Sequence, residues 1–476
     1  MESVKLKNLF DNVSHLTWKG SKETSISSIT ANSKTVCPGA LFVAKRGKTG
    51  DGHRFIAEAL ANGAAALLTD TYDPFLSIPQ VIHPDVNRLE SLLATRFYKN
   101  PAAELTLIGI TGTSGKTTTA YLIQHLLKTC GLIGTIVWMT GKKVLPATLS
   151  TPDLLTVMQL LHDMVASSCT HAVMEVSSHA LDQGRLEGIP FNIGLLTNLS
   201  HDHLDYHVTL ENYAAAKAKL FTALSPDGLA IVNADDLWTP TIIQHCKAPL
   251  LTYGLHAADL QATQIKLSSS GMEFSVAYKG EKVQFSTSLI GRFNIYNILA
   301  ATAVSLSQNQ TLSTIAASLR HFPGVPGRLE RVPNRHNAQV FVDYAHKPEA
   351  LRSVLTTLQE LKTARLITVF GCGGQRDTAK RPQMGAIAEE LSDLTIVTSD
   401  NPRTEDPVHI ASQITQGFKS RSSYLVELDR RKAIAIALAM AKPGDIVLIA
   451  GKGHETYQIF ADRTIAFDDR AVVREV

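Results

Sequence analysis

The chain has little that would tie it to an oxidising compartment, a membrane or a polyanion. Of its 476 residues only five are cysteine: Cys37, Cys130, Cys169, Cys246 and Cys372. The number is odd and no two form a C-x-x-C pair. That sets aside a disulfide framework and suits free thiols in a reducing cytosol. No run approaches the roughly 18 apolar residues that read as a membrane span. The start, Met1-Glu2-Ser3-Val4-Lys5-Leu6-Lys7, lacks the apolar stretch of a secretory signal. Lys and Arg number 46 against 43 Asp and Glu, a net charge of +3, which is too balanced to argue for nucleic acid or a charged lipid surface. Repeats and low-complexity tracts are missing too. These absences predict a soluble, cytoplasmic protein with no nucleic-acid partner and no membrane insertion.

Hydrophobic residues make up 44% of the chain, enough for packed cores. The length suggests roughly three domains. Two breaks divide it. Lys99-Asn100-Pro101 is the first. The second is Phe322-Pro323-Gly324-Val325-Pro326-Gly327-Arg328, where two prolines and two glycines interrupt regular structure. The expected domains are residues 1–98, 99–327 and 328–476. In the middle part, strand-like runs at 172–176, 193–197 and 229–232 alternate with helical runs such as 212–224. In the last part, strands are expected at 340–343, 366–370, 394–398 and 446–450. That alternation predicts an α/β protein with largely parallel sheets covered by helices. In such sheets ligands sit beyond the carboxyl ends of the strands.

The most informative segment is Thr111-Gly112-Thr113-Ser114-Gly115-Lys116-Thr117-Thr118. An apolar strand-like run, 105–110, precedes it. A helix-like run with Leu122, Ile123, Leu126 and Leu127 on one face follows. A glycine-rich turn from strand to helix aims backbone N–H groups at a phosphate, and the helix N-terminus adds positive potential. Lys116 can reach the β- and γ-phosphates, and Thr117 can place its hydroxyl on Mg²⁺. These residues predict a protein that binds and splits a nucleoside triphosphate. The usual pattern wants glycine at position 110, where this chain has Ile110 between Gly109 and Gly112. A plain helix-capping turn is the other use of such residues.

Further polar turns follow other strands. Glu175, in Met174-Glu175-Val176-Ser177-Ser178-His179, can bind Mg²⁺ opposite the phosphate loop, although Ser177 or Ser178 can equally cap the next helix. Asn198 to His207 carries three His and two Asp within seven residues, at a spacing that fits no standard zinc pattern. A Mg²⁺ or phosphate-side role suits it better. Gly371-Cys372-Gly373-Gly374-Gln375-Arg376-Asp377, Asp400-Asn401-Pro402-Arg403 and Gly451-Lys452-Gly453-His454-Glu455 each end a strand of the last part. Three such turns at successive strand ends make a binding face.

With Ala216-Lys217, Gly291-Arg292-Phe293-Asn294, Gly327-Arg328-Leu329-Glu330 and Asp343-Tyr344-Ala345-His346 added, the ordered set resembles the Mur ligases over almost the whole chain. The likeness is to the branch that extends UDP-MurNAc-L-Ala-D-Glu. It implies an N-terminal UDP-sugar-binding α/β domain, a central P-loop ATPase and a C-terminal Rossmann-like domain. It implies ATP-dependent amide bond formation through an acyl phosphate, with Mg²⁺ as cofactor, by a monomer. By the same likeness Gly112, Thr113, Ser114, Gly115, Lys116, Thr117, Thr118, Asn294, Arg328 and Asp343 contact ATP. Thr117, Glu175, His203 and Lys217, the last as a carbamate, surround the metal. Lys116, Glu175, His203 and Lys217 carry the catalysis. An ordinary surface position is the default for any one lysine such as Lys217. Ser33, Ser150, Thr151, Ser177, Gln183 and Arg185 correspond to contacts with the UDP-muramoyl peptide. Arg376, Asp400, Asn401, Arg403, Gly451 and Glu455 would hold meso-diaminopimelate. Arg403 sets the specificity, because a guanidinium can fork onto the distal carboxylate that lysine lacks. There are departures: Asn32-Ser33-Lys34 stands where relatives have Asp-Ser-Arg, Gln375 where many have Asp, and Ser200-His201 where many have Thr-Arg. The alternatives are the same ligase using L-lysine, a folylpolyglutamate- or cyanophycin-synthetase-type ligase of this fold, and a non-catalytic nucleotide switch.

Overall fold

Apolar runs flanked by polar turns become strands here, and their alternate residues serve two cores. The computed structural model describes residues 3–46, 50–336 and 338–476. Contacts divide the chain into two compact units, Met1–Asp259 with Ala300–Gln308, and Leu260–Leu299 with Asn309–Val476.

The first unit holds two main sheets. The five-stranded one runs in the order Thr17–Lys19, Gln80–Ile82, Ala64–Thr69, Ala40–Val43, Ser28–Thr30, and is parallel except for its first strand. In the other, the parallel strands lie in the order Cys130–Ile133, His171–Glu175, Thr106–Thr111, Ile193–Leu196, Leu229–Asn233, Leu250–Gly254. Two antiparallel strands, Val137–Met139 and Val144–Pro146, extend its edge. Residues of helices Val86–Phe97 and Leu154–Ala166 share one apolar cluster with both sheets. Asp85 and Asp153 cap these helices through the N–H groups of Arg88 and Thr156.

The second unit contains an antiparallel meander, Leu260–Ser268, Gly271–Tyr278 and Glu281–Thr287. It also contains a six-stranded sheet ordered Glu330–Val332, Gln339–Asp343, Ile446–Ala450, Leu366–Phe370, Leu394–Val397, Tyr424–Val426. Only the first of those six is antiparallel. Strand residues point alternately to opposite faces. Phe341, Leu366, Phe370 and Leu448 pack with residues of helices Pro348–Leu361, Lys380–Leu391 and Pro407–Thr415. Val340, Val342, Ile367, Val369, Val447 and Ile449 pack with helices Arg430–Met440 and Asp469–Glu475. Helices therefore cover both faces, and the polar turns after Asp343, Phe370, Val397 and Ala450 are left at one end of the sheet. No helix among the described residues is long and apolar enough to cross a membrane.

Candidate active site

The phosphate loop opens where strand Thr106–Thr111 ends, and helix Lys116–Leu126 begins behind it. Ile110 belongs to the strand: it is fully buried and its carbonyl accepts from the Val176 N–H. The turn therefore takes its glycine two positions later, just after the strand ends at Thr111. Gly112 has φ +145° and lies so close to the Thr197 hydroxyl that a Cβ would collide with it. The loop is braced from the neighbouring strand end. Asn198 O accepts from Thr113 N (2.8 Å), Asn198 Oδ1 from Ser114 N (3.0 Å), and Ser114 O from the Thr197 hydroxyl (2.8 Å). Gly115, at φ +86°, is the N-cap. Lys116 Nζ donates to the Gly112 and Thr113 carbonyls at 2.8 and 2.9 Å. Thr118 is buried in the first helical turn.

Glu175 ends the adjacent strand and is 1% exposed. Its Oε2 accepts from the Thr117 hydroxyl at 3.0 Å and the Thr135 hydroxyl at 3.0 Å, and its Oε1 from Thr135 N at 2.8 Å. Ser150 Oγ lies 2.9 Å from the same Thr135 hydroxyl, which has given its one hydrogen to Glu175 and so accepts from Ser150. Thr151 ties the same strand end: its hydroxyl donates to Glu175 O and accepts from Ser177 N. Arg185 donates to Thr151 O and to Gln183 Oε1. Ser150, Thr151, Ser177, Gln183 and Arg185 thus form one patch beside Glu175. Ser33 stands apart, in the five-stranded-sheet region, where its hydroxyl donates to Glu58 at 2.6 Å.

Lys217 departs from the surface default. It is 1% exposed, its Nζ donates to Gly112 O at 2.8 Å, and it lies 4.3 Å from the Tyr213 ring centroid. Burial pulls its ammonium well below the usual lysine range, the positive Lys116 adds to this, and Asp202 opposes it. Tyr213 also faces His203, at 6.2 Å between ring centroids, and its hydroxyl meets that of Thr113 at 3.3 Å. His203 is half-exposed, has a left-handed backbone (φ +55°) and packs edge-on against His179 at 4.9 Å. The structure therefore joins Lys116, Thr117, Glu175 and Lys217 around one loop, with His203 reached through Tyr213.

In the second unit Asp343 ends a strand. Its carboxylate accepts from Leu329 N (2.7 Å) and Ala345 N (2.8 Å). Burial pushes its carboxyl above the usual range, while Arg328 and these N–H groups pull the other way. The Arg328 guanidinium lies 5.0 Å from the centroid of the Tyr344 ring. Asn294 is buried, donating to Ile290 O and accepting from Asn297.

The three remaining turns of that unit interlock. Asn401 donates to Glu455 Oε2 at 2.9 Å, and the buried Lys452 reaches both residues. Asp400 Oδ1 accepts from Asn401 N, and a Cβ on Gly451 (φ +112°) would come within 2.6 Å of Asp400 Oδ2. Arg403 Nη1 donates to Gly374 O at 2.8 Å. Glu405 takes Gln375 N and the fully buried Arg381, fixing the glycine-rich turn. Arg376 is exposed on that turn. Sequence reasoning passed over Thr135, Asn198, Tyr213, Arg381, Glu405 and Lys452 as site residues, although Asn198 and Lys452 lie within turns it singled out.

A phosphate loop with a buried carboxylate and lysine, joined in sequence to a doubly covered parallel sheet, defines a nucleotide-dependent α/β enzyme. Family comparison makes this specific. The Mur ligase family catalytic domain matches residues 25–98, the Mur ligase middle domain residues 110–305, and the Mur ligase glutamate ligase domain residues 327–453. The UDP-N-acetylmuramoyl-L-alanyl-D-glutamate--2,6-diaminopimelate ligase of Chlamydia pneumoniae is 43% identical over 479 residues, covering 99% of this chain and 99% of its own. A solved structure of a UDP-N-acetylmuramoyl-L-alanyl-D-glutamate--2,6-diaminopimelate ligase is 34% identical, with a TM-score of 0.69 over 99% of this chain and 98% of that one. The MurF ligase from Thermotoga maritima in complex with ADP shares the fold at 21% identity, with a TM-score of 0.66 over 90% of this chain and 94% of that one. The chain belongs to the Mur ligase family.

Proposed function

We propose that this chain is an ATP-dependent ligase that adds meso-2,6-diaminopimelate to the D-Glu carboxylate of UDP-MurNAc-L-Ala-D-Glu, in cytoplasmic peptidoglycan precursor synthesis. We further propose that it acts as a monomer, with domains at 1–98, 99–327 and 328–476. The observation that carries the reading is the meeting of two lysines on one loop carbonyl: Lys116 and Lys217 both donate to Gly112 O. A protein that only held a nucleotide would have no use for a second, fully buried lysine there.

The chemistry follows from charge. A carboxylate is a poor electrophile, so the γ-phosphoryl group passes from ATP to the D-Glu carboxylate, ADP leaves, and an acyl phosphate forms. The amine of diaminopimelate then attacks the acyl carbon, loses a proton and expels phosphate. The first step brings two anions together. Lys116 and the loop N–H groups offset that repulsion. The Thr117 hydroxyl and Glu175 carboxylate, 3.0 Å apart, are hard oxygen donors of the kind Mg²⁺ prefers. With His203 and a carbamate on Lys217 they would hold the ion, which when bound stabilises charge on the transferring group. The depressed basicity of Lys217 supports the carbamate, since only the neutral amine adds to carbon dioxide. Ser33, Ser150, Thr151, Ser177, Gln183 and Arg185 take the UDP-muramoyl peptide. By the family likeness, Asn294, Arg328 and Asp343 of the second unit are also proposed to contact ATP. Arg376, Asp400, Asn401, Arg403, Gly451 and Glu455 receive diaminopimelate, with Arg403 forking onto its distal carboxylate.

The test is ADP release with ATP, Mg²⁺ and UDP-MurNAc-L-Ala-D-Glu, comparing meso-diaminopimelate with L-lysine, for the wild type and Lys217→Ala. Release with diaminopimelate alone, lost in Lys217→Ala while nucleotide still binds, is the expected result. Preference for lysine would overturn the specificity, and no release with either would overturn the function.

A further inference from the structure

We propose that Lys452 is a positioning residue of the amino-acid site, locking Asn401 and Glu455 in the one arrangement that can receive an amino-acid head group. The inference rests on the reading of that site given above. Lys452 is 0% exposed at its side chain. Its Nζ is 3.2 Å from Asn401 Oδ1 and 3.0 Å from Glu455 Oε2, and it lies 5.5 Å from the Tyr457 ring centroid. Asn401 Oδ1 accepts a second bond from Ile459 N at 3.0 Å, and Asn401 Nδ2 donates to Glu455 Oε2 at 2.9 Å.

An inventory of donors and acceptors shows what this network does. An amide oxygen has two lone pairs and its NH₂ two hydrogens. Lys452 and Ile459 occupy both lone pairs of Asn401, so the amide cannot turn over without facing two donors with its own NH₂. One N–H of Asn401 goes to Glu455 Oε2, which leaves the other. Glu455 Oε2 takes both Lys452 and Asn401, which leaves Oε1. The network thereby leaves one N–H of Asn401 and one carboxylate oxygen of Glu455 uncommitted, a donor for a carboxylate and an acceptor for an ammonium. The Lys452 charge also offsets that of Glu455, so an incoming carboxylate is not repelled.

Filling the space does not require a lysine. A buried ion pair is often no more stabilising than well-packed apolar side chains of similar size. Methionine at 452 would fill the same volume but would supply no donor to Asn401 Oδ1 and no charge to Glu455.

The experiment is steady-state ADP release by the full chain, with KM measured separately for meso-diaminopimelate, ATP and UDP-MurNAc-L-Ala-D-Glu, for the wild type, Lys452→Met and Lys452→Gln. The expected result for Lys452→Met is a KM for diaminopimelate raised about tenfold or more, with the other two within about twofold. Lys452→Gln keeps a donor for Asn401 and should rise less, about threefold. It carries the test should the methionine variant fold poorly. An unchanged diaminopimelate KM in either folded variant overturns the proposal. An equal rise for all three substrates also overturns it, as the mark of a purely structural residue. A wild type that releases no ADP with diaminopimelate refutes the reading of the site itself, before either variant is compared.

Discussion

Helix Leu204–His207 is bounded by two non-glycine residues in positive-φ conformations, His203 at φ +55° and Val208 at φ +71°, ψ −47°. Thr209 N bonds back to His207 O at 2.8 Å, closing a γ-turn of the strained hand centred on Val208. For a β-branched residue this is a true outlier, and such positions cost about 1–3 kcal/mol each. Val208 is 73% exposed, so its side chain returns little burial for that cost. Glycine accepts the same backbone without a Cβ clash, at an entropic penalty of about 0.5–1 kcal/mol through the unfolded chain. Val208→Gly should therefore stabilise the protein by about 1 kcal/mol. Val208→Ala, which keeps the Cβ, should stay within about 0.5 kcal/mol of wild type. Urea denaturation with midpoint and slope both fitted measures this. Because the turn fixes the helix that starts at His203, relief of strain should also lower turnover, by about two- to fivefold, the usual trade of activity against stability. A lower midpoint for the glycine variant, or an equal gain for alanine, would refute the argument from φ.

Two further outcomes follow from charge. Burial, reinforced by the nearby positive Arg328, Arg470 and Lys452, lowers His454 from the ordinary 6.5 to about 4. The unfolded chain therefore binds the proton first as pH falls. Stability from this group is fully present above pH 6.5 and is lost as pH drops towards 4. At ~1.4 kcal/mol per pH unit the gap between 6.5 and about 4 amounts to about 3–4 kcal/mol, which partial exposure reduces to about 2 kcal/mol. His454→Gln should flatten the midpoint-against-pH curve over that window, and an unaltered slope would assign it to other groups. Arg403→Ala should raise the KM for diaminopimelate by about a hundredfold and leave that for ATP nearly unchanged, as expected when a charged hydrogen-bond partner is removed. An unchanged ratio of diaminopimelate to lysine turnover would remove Arg403 from specificity.

The strand–loop–helix at 106–126 was legible because its signal is local: an apolar run, glycines, then Lys116 and Thr117. The same holds for the turns after Asp343, Phe370, Val397 and Ala450, since strands whose alternate residues feed two cores must be apolar throughout. What escaped depends on which side chains meet across the fold. Nothing near Thr135 or Asn198 says that one will hold Glu175 and the other the phosphate loop, because their partners lie 40 and 84 residues away. The misplaced glycine of the loop was a question of where a strand ends, which here shifts by two residues, from Ile110 to Gly112, without any change of motif. Lys217 is different, because its burial could have been read. Helix Leu210–Thr222 buries Tyr213, Ala214, Ala216, Lys217, Leu220 and Phe221. That is the spacing of a single helical face, and the lysine stands in the middle of it. A side chain that is almost never fully buried, on a stripe otherwise made of core residues, is a physical contradiction in the sequence itself. The fold resolves it by setting the amine against Gly112 O and the Tyr213 ring, where burial lowers its basicity.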